Sequence, residues 1–180
     1  MEMDEGRPDW EVPMFLFASL LLSAALGVAP LTESAALDSP HRHVRTQDRS
    51  IRYLLKRGFN HSPTFAHLMA RLQNSDVIVY VEEVPRLPGG LEGRMMMLPT
   101  SHGQRYVRIQ IALRGAPDDS IAILGHELQH AIEVAQETGV SDQAELAALY
   151  QRIGTRSGHQ IYDTVAAQEV GRLVRRELLA

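Results

Sequence analysis

Two histidines stand four residues apart in the stretch Gly125 to Glu133, GHELQHAIE, with a glutamate directly after the first. At about 100° per residue, His126 and His130 fall roughly 40° apart around a helix and about one turn apart along it, so both imidazoles can reach one ion. Two neutral imidazoles hold a divalent metal, the metal acidifies a water, and a neighbouring carboxylate takes that water's proton and passes it on. The residue types and spacing therefore predict a hydrolytic zinc site, with His126 and His130 as ligands and Glu127 as general base. The competing expectation is an ordinary amphipathic helix. Leu124, Leu128, Ala131 and Ala135 point away from the histidines, which would leave His126, His130, Glu133 and Glu137 as its wet face.

A catalytic zinc takes three protein ligands, and the chain has no cysteine, so the third must be His, Asp or Glu. Glu133 shares the angular face but lies about 10 Å along the axis from His126, too far for one ion, and reads as a surface or supporting residue. The last helix, expected from about Ile161 to Leu179, is the better source. On its wheel Asp163 falls near the centre of the apolar face formed by Ala166, Ala167, Val170, Leu173 and Val174, whereas Glu169 falls about 120° away beside Arg172 and Arg176. A carboxylate pointing into a core needs a partner, and a metal is one. Asp163 is thus the expected third ligand, with two alternatives: that it caps the helix, or that Glu169 or another acid takes the ligand role. His159 and Tyr162, just before it, are candidates to stabilise an oxyanion.

The elements that must hold these residues follow from periodicity. Ser50–Arg57 and Ser62–Leu72 read as two helices, the first stopped at Gly58, the second capped by Ser62 with Pro63 in its first turn. Val77 to Val81, VIVYV, reads as a buried strand. Pro85 to Gly103 reads as a loop, a short strand around Met95–Met97 and a turn at SHG. Arg105–Leu113 alternates cleanly and is expected at a sheet edge. A helix capped by Asp118 or Asp119 carries GHELQHAIE and ends at Gly139; another starts at Ser141 or Asp142, and a loop TRSGHQ leads to the last. The expected fold class is α+β: two N-terminal helices, a short mostly antiparallel sheet, the helix bearing the histidines and two C-terminal helices.

The net charge of −4 gives no basic face for nucleic acid. The apolar run Met14–Ala29, MFLFASLLLSAALGVA, fits a secretory leader cleaved after Ala29 or Ala36, although acidic residues precede it; at 16 residues it is short for a spanning helix. Residues 1–36 are therefore expected to be a signal peptide or N-terminal anchor, 37–45 a linker and 46–180 the folded domain. The expected location is extracytoplasmic, with membrane contact only through an uncleaved leader.

The match of His126, Glu127 and His130, with a downstream acid on a separate element, resembles the zincin metallopeptidases and within them the thermolysin-like gluzincin branch. The strings GHELQHAIEVA, RYVRIQIAL and YDTVAAQEVGRL together resemble a group of small uncharacterised bacterial proteins, often with an export leader, over roughly Val77 to Leu178. The resemblance implies a small zincin-like domain in which His126, His130 and Asp163 bind Zn2+ and Glu127 is the base. Aspartate replaces the usual gluzincin glutamate, and no glycine and third histidine follow His130 as in metzincins. It also implies a peptide or protein substrate lying along an edge strand, either Arg105–Leu113 or Met95–Met97. The rival expectation is a non-enzymatic module, binding metal structurally or serving as an envelope interaction surface.

Overall fold

The computed structural model describes residues 43–158 and 161–180. The leader and most of the linker, residues 1–42, and His159 lie outside the described residues. The chain is a mixed α and β fold in which helices cover one face of a small sheet. Strand β1 (Val44–Arg45) is followed by helices α1 (Arg49–His61) and α2 (Pro63–Gln73), strand β2 (Val77–Glu83), a 3₁₀ turn (Pro88–Gly90) and strands β3 (Gly93–Ser101) and β4 (Gln104–Ile111). Helices α3 (Pro117–Gln136) and α4 (Gln143–Ile153), strands β5 (Thr155–Gly158) and β6 (Ile161–Asp163), and helix α5 (Val165–Leu178) complete it.

The strand order is β1-β2-β4-β3, with β1 and β4 parallel to β2 and β3 antiparallel to β4. The four-stranded sheet is thus mixed, which corrects the expectation of a mostly antiparallel one. The hairpin β3–β4 folds back so that its second strand, not its first, lies against β2. Its turn is made by His102 and Gly103, both at positive φ. Consequently β4 is central and β3 is the edge. The alternation of Arg105–Leu113 marks an open sheet face rather than an edge: Val107, Ile109 and Ile111 are fully buried, while Tyr106, Arg108 and Gln110 stay partly exposed.

Three further boundaries differ for identifiable reasons. Helix α1 continues through Gly58, because a Cβ there would stand 2.9 Å from Ile121 Cγ2 and 3.0 Å from the Phe65 ring: this glycine admits a close neighbour and does not stop the helix. The folded unit begins before Thr46, since Val44 pairs with Val79 and is buried. Helix α3 is capped by Ala116 with Pro117 in its first turn, so Asp118 and Asp119 sit inside that turn, where they favour the helix dipole.

Helix α3 is the centre of the fold. Ile121, Leu124, Leu128, Ala131 and Ile132 are buried on one side, and Glu127, His130 and Glu133 are buried away from it. Its C-terminal carbonyls are satisfied by Arg105, only 4% exposed, whose Nη1 donates to the carbonyls of Val134, Glu137 and Val140. The same guanidinium forms a two-pronged pair with Asp76, Nε and Nη2 each at 2.7 Å from a carboxylate oxygen. Sheet and helix are thereby locked at one end.

Helix α5 lies against α3 through two glycines. A Cβ at Gly125 would stand 3.1 Å from Val174 Cγ2, and one at Gly171 would stand 3.4 Å from the Ala122 carbonyl and from His126 Cβ. The far end of α5 is tied to the start of α2, where Glu177 accepts from Thr64 N–H at 3.1 Å and Thr64 Oγ1 at 2.7 Å.

Candidate metal site

Asp163 is the last residue of β6, and the N-cap of α5 is Thr164, whose Oγ1 accepts from Ala167 N–H. The last helix therefore starts four residues later than the wheel assumed, and Asp163 is neither on its apolar face nor its cap. The segment read as a loop forms the β5–β6 hairpin instead, in which Thr155 and Arg156 pair with Asp163 and Tyr162. That hairpin delivers Asp163 to the two histidines.

His126 Nε2 and His130 Nε2 face each other at 3.1 Å. Asp163 Oδ1 lies 3.3 Å from the first and 3.6 Å from the second. These three edges approximate the ligand–ligand separation of about 3.3 Å expected for a tetrahedron with bonds of about 2.0–2.1 Å. Asp163 Oδ1 is buried without a hydrogen-bond partner, while its Oδ2 accepts from Gln168 Nε2 at 3.0 Å. A buried carboxylate oxygen left unpaired between two imidazole nitrogens suits a cation. His126, His130 and Asp163 could hold a metal ion. Glu169 is exposed on α5, paired with Arg172 at 2.7 Å, and does not reach the cluster.

A second layer orients the first. His130 Nδ1 is 2.8 Å from Glu133 Oε2, and Glu133 Oε1 accepts from Thr164 Oγ1 at 2.6 Å. This holds the His130 ring so that its Nε2 faces Asp163 and His126. The Tyr150 ring stands edge-on to His130 with centroids 5.0 Å apart, and its hydroxyl donates to the His130 carbonyl at 3.2 Å. With His130 and Glu133 each only 7% exposed, this side of α3 is not a wet face. Glu133 acts three residues on from His130, a spacing visible in the sequence; its bond to Thr164 joins residues far apart in the chain and was not.

Glu127 is 6% exposed. It lies beneath β3 at Gly93, where a Cβ would stand 2.5 Å from Glu127 Oε1 and 2.9 Å from Ile123 Cγ2. Only glycine leaves room for this carboxylate. Burial pushes its pKa up to about 7. Burial lowers His126, with the neighbouring His130 adding to the effect. Burial alone would lower His130 too, but the carboxylates of Asp163 and Glu133 outweigh it and raise it to about 9. The same partnership, with Gln168, holds Asp163 near 2 against its own burial.

The site floors a cleft of about 1440 Å³. The edge strand β3 forms one wall; α4, the β5–β6 hairpin and α5 contribute the others. Tyr162 lines it, in a position open to a bound molecule. Comparison with protein-family models, curated proteins and solved structures finds no match to the chain. None of the described helices is long and apolar enough to cross a membrane.

Proposed function

We propose that the chain is a zinc-dependent peptide hydrolase with a zincin-like arrangement, exported by its N-terminal leader. The observation that carries this reading is the triangle of His126 Nε2, His130 Nε2 and Asp163 Oδ1, with edges of 3.1, 3.3 and 3.6 Å, standing beside the buried carboxylate of Glu127. A zinc ion bound there would supply Lewis acidity, acidifying water and polarising a carbonyl at neutral pH.

The chain's own residues supply the rest. Glu127 takes a proton from the attacking water at its carboxylate and delivers it to the departing amine nitrogen as the carbon–nitrogen bond breaks. Glu133 holds His130 in one orientation and Gln168 holds Asp163. Among the described residues, strand β3 has no partner on its outer edge above α3, where an extended substrate could add, whereas β4 pairs on both sides. The deep burial of Glu127 also favours a second reading, a structural metal site without turnover.

Glu127→Gln separates the two. The first reading expects zinc to be retained and cleavage of a mixed peptide pool to fall by about 10²-fold or more. Equal cleavage by the variant, or none by either protein, contradicts it. Amino-terminal sequencing of the mature chain tests export, with a start at Pro30 or Leu37 expected.

A further inference from the structure

One end of the cleft is closed by the chain itself. The Glu92 carbonyl accepts from Ala112 N–H at 2.8 Å, so the even-numbered residues entering β3 direct their backbone groups to β4. The period of a strand then turns the N–H and C=O groups of Gly93, Met95 and Met97 to the free edge. Met97 N–H is already taken: it donates to Gln143 Oε1 at 3.0 Å. Just beyond it, Thr100 Oγ1 donates to the Ser141 carbonyl at 3.0 Å. Residues 141–143 therefore occupy the edge where a ligand strand would continue, and only Met95 and Gly93 are left for main-chain pairing.

Charge along the cleft favours one direction. The residues that α4 contributes to it, Gln143, Leu146, Ala147, Tyr150 and Gln151, are all uncharged. At the other end Gly93 pairs with Ile111, from which the chain runs on to Arg114 at the cleft, and Arg175 of α5 binds Asp119 at 2.7 Å in the first turn of α3. Glu92 lines that end too and Asp119 already pairs with Arg175, so Arg114 is the cation left there to meet the carboxyl-terminal side of a peptide; among the described residues α4 brings none to the cleft beside Gln143. Antiparallel addition to β3, the more stable pairing, puts that side at the Gly93 end and the amino terminus at Met97.

We propose that the cleft takes the amino-terminal end of an extended peptide, antiparallel to β3, and that Gln143 is the stop limiting how far the peptide extends. The choice of a peptide rests on the hydrolase reading; the stop rests on the occupied edge. Gln143 is a positioning residue and takes no part in bond breaking.

The test uses the full chain carrying Glu127→Gln, so that nothing is cut. The probes are mixed-sequence tetrapeptides with a free amino terminus and a fluorophore on the carboxyl end, alone or lengthened by four alanines at either end. Lengthening at the amino end should weaken binding about tenfold or more, lengthening at the carboxyl end should change it little, and adding Gln143→Ala should remove most of the difference. Amide exchange should find Met97 protected without peptide and Met95 protected only with it.

Equal affinity for the amino-extended pool, a penalty that survives Gln143→Ala, or no binding by any pool overturns the proposal, even in a chain that holds zinc. Conversely, a zinc-free chain that still discriminates the pools would overturn the hydrolase reading and leave this one standing.

Discussion

At the scale of single residues, the geometry separates groups that would bind metal from groups that aim them. His126, His130 and Asp163 form the triangle, and Glu133 holds the second nitrogen of His130. Glu133→Gln keeps the shape but weakens the acceptor, and zinc affinity should fall about 10–100-fold by competition with a chromophoric chelator. An unchanged affinity would remove Glu133 from the site. Gly93→Ala forces a methyl group against the Glu127 carboxylate; peptide cleavage should drop about 100-fold with zinc content unchanged. The histidine pair and Glu127 are legible in the sequence because a helix converts spacing directly into direction. A helical wheel does not apply to Asp163, since the residue ends β6. Helical spacing extended back to Ile161 hides the short strand Ile161–Asp163, because three residues are too few to show a period of their own.

At the scale of elements, the helices and strands were largely visible, but their neighbours were not. Clean alternation in β4 reports that one sheet face is open and says nothing about what pairs on each side, which is why a central strand read as an edge. The β5–β6 hairpin is too short and polar to show a period. Arg105 likewise gave no signal, although it joins β4 to the end of α3. Arg105→Ala leaves several carbonyls unpaired and should cost about 3 kcal/mol or more in denaturant unfolding, with Arg105→Lys recovering only part because it lacks the planar fork. A cost no larger than that of a surface substitution would contradict this assignment. Its partner adds a pH dependence. Hydrogen bonds from Arg105 hold the Asp76 pKa below its ordinary value against partial burial. That contribution is complete above the unfolded carboxylate pKa of about 3.9 and is lost as pH falls through the lower folded value. The stability gap between the parent chain and Asp76→Asn should therefore close below about pH 4. It should be modest, because the Asp76 side chain is 44% exposed.

At the scale of the whole molecule, the cluster joins α3 to the β6–α5 junction, and the Gly125 and Gly171 contacts bring α5 close enough for that to happen. A metal bound to the folded state alone must stabilise it. Zinc at about 100 times its Kd should raise the unfolding free energy by about 2.7 kcal/mol, read as a higher Tm, and the rise should vanish in Asp163→Ala but persist in Glu169→Ala. The most direct test of the central claim is the zinc content of the purified chain by elemental analysis, beside His126→Ala. About one zinc per chain is expected in the first and a loss in the second, with circular dichroism unchanged. A correctly folded chain that takes up no zinc when it is supplied would contradict it.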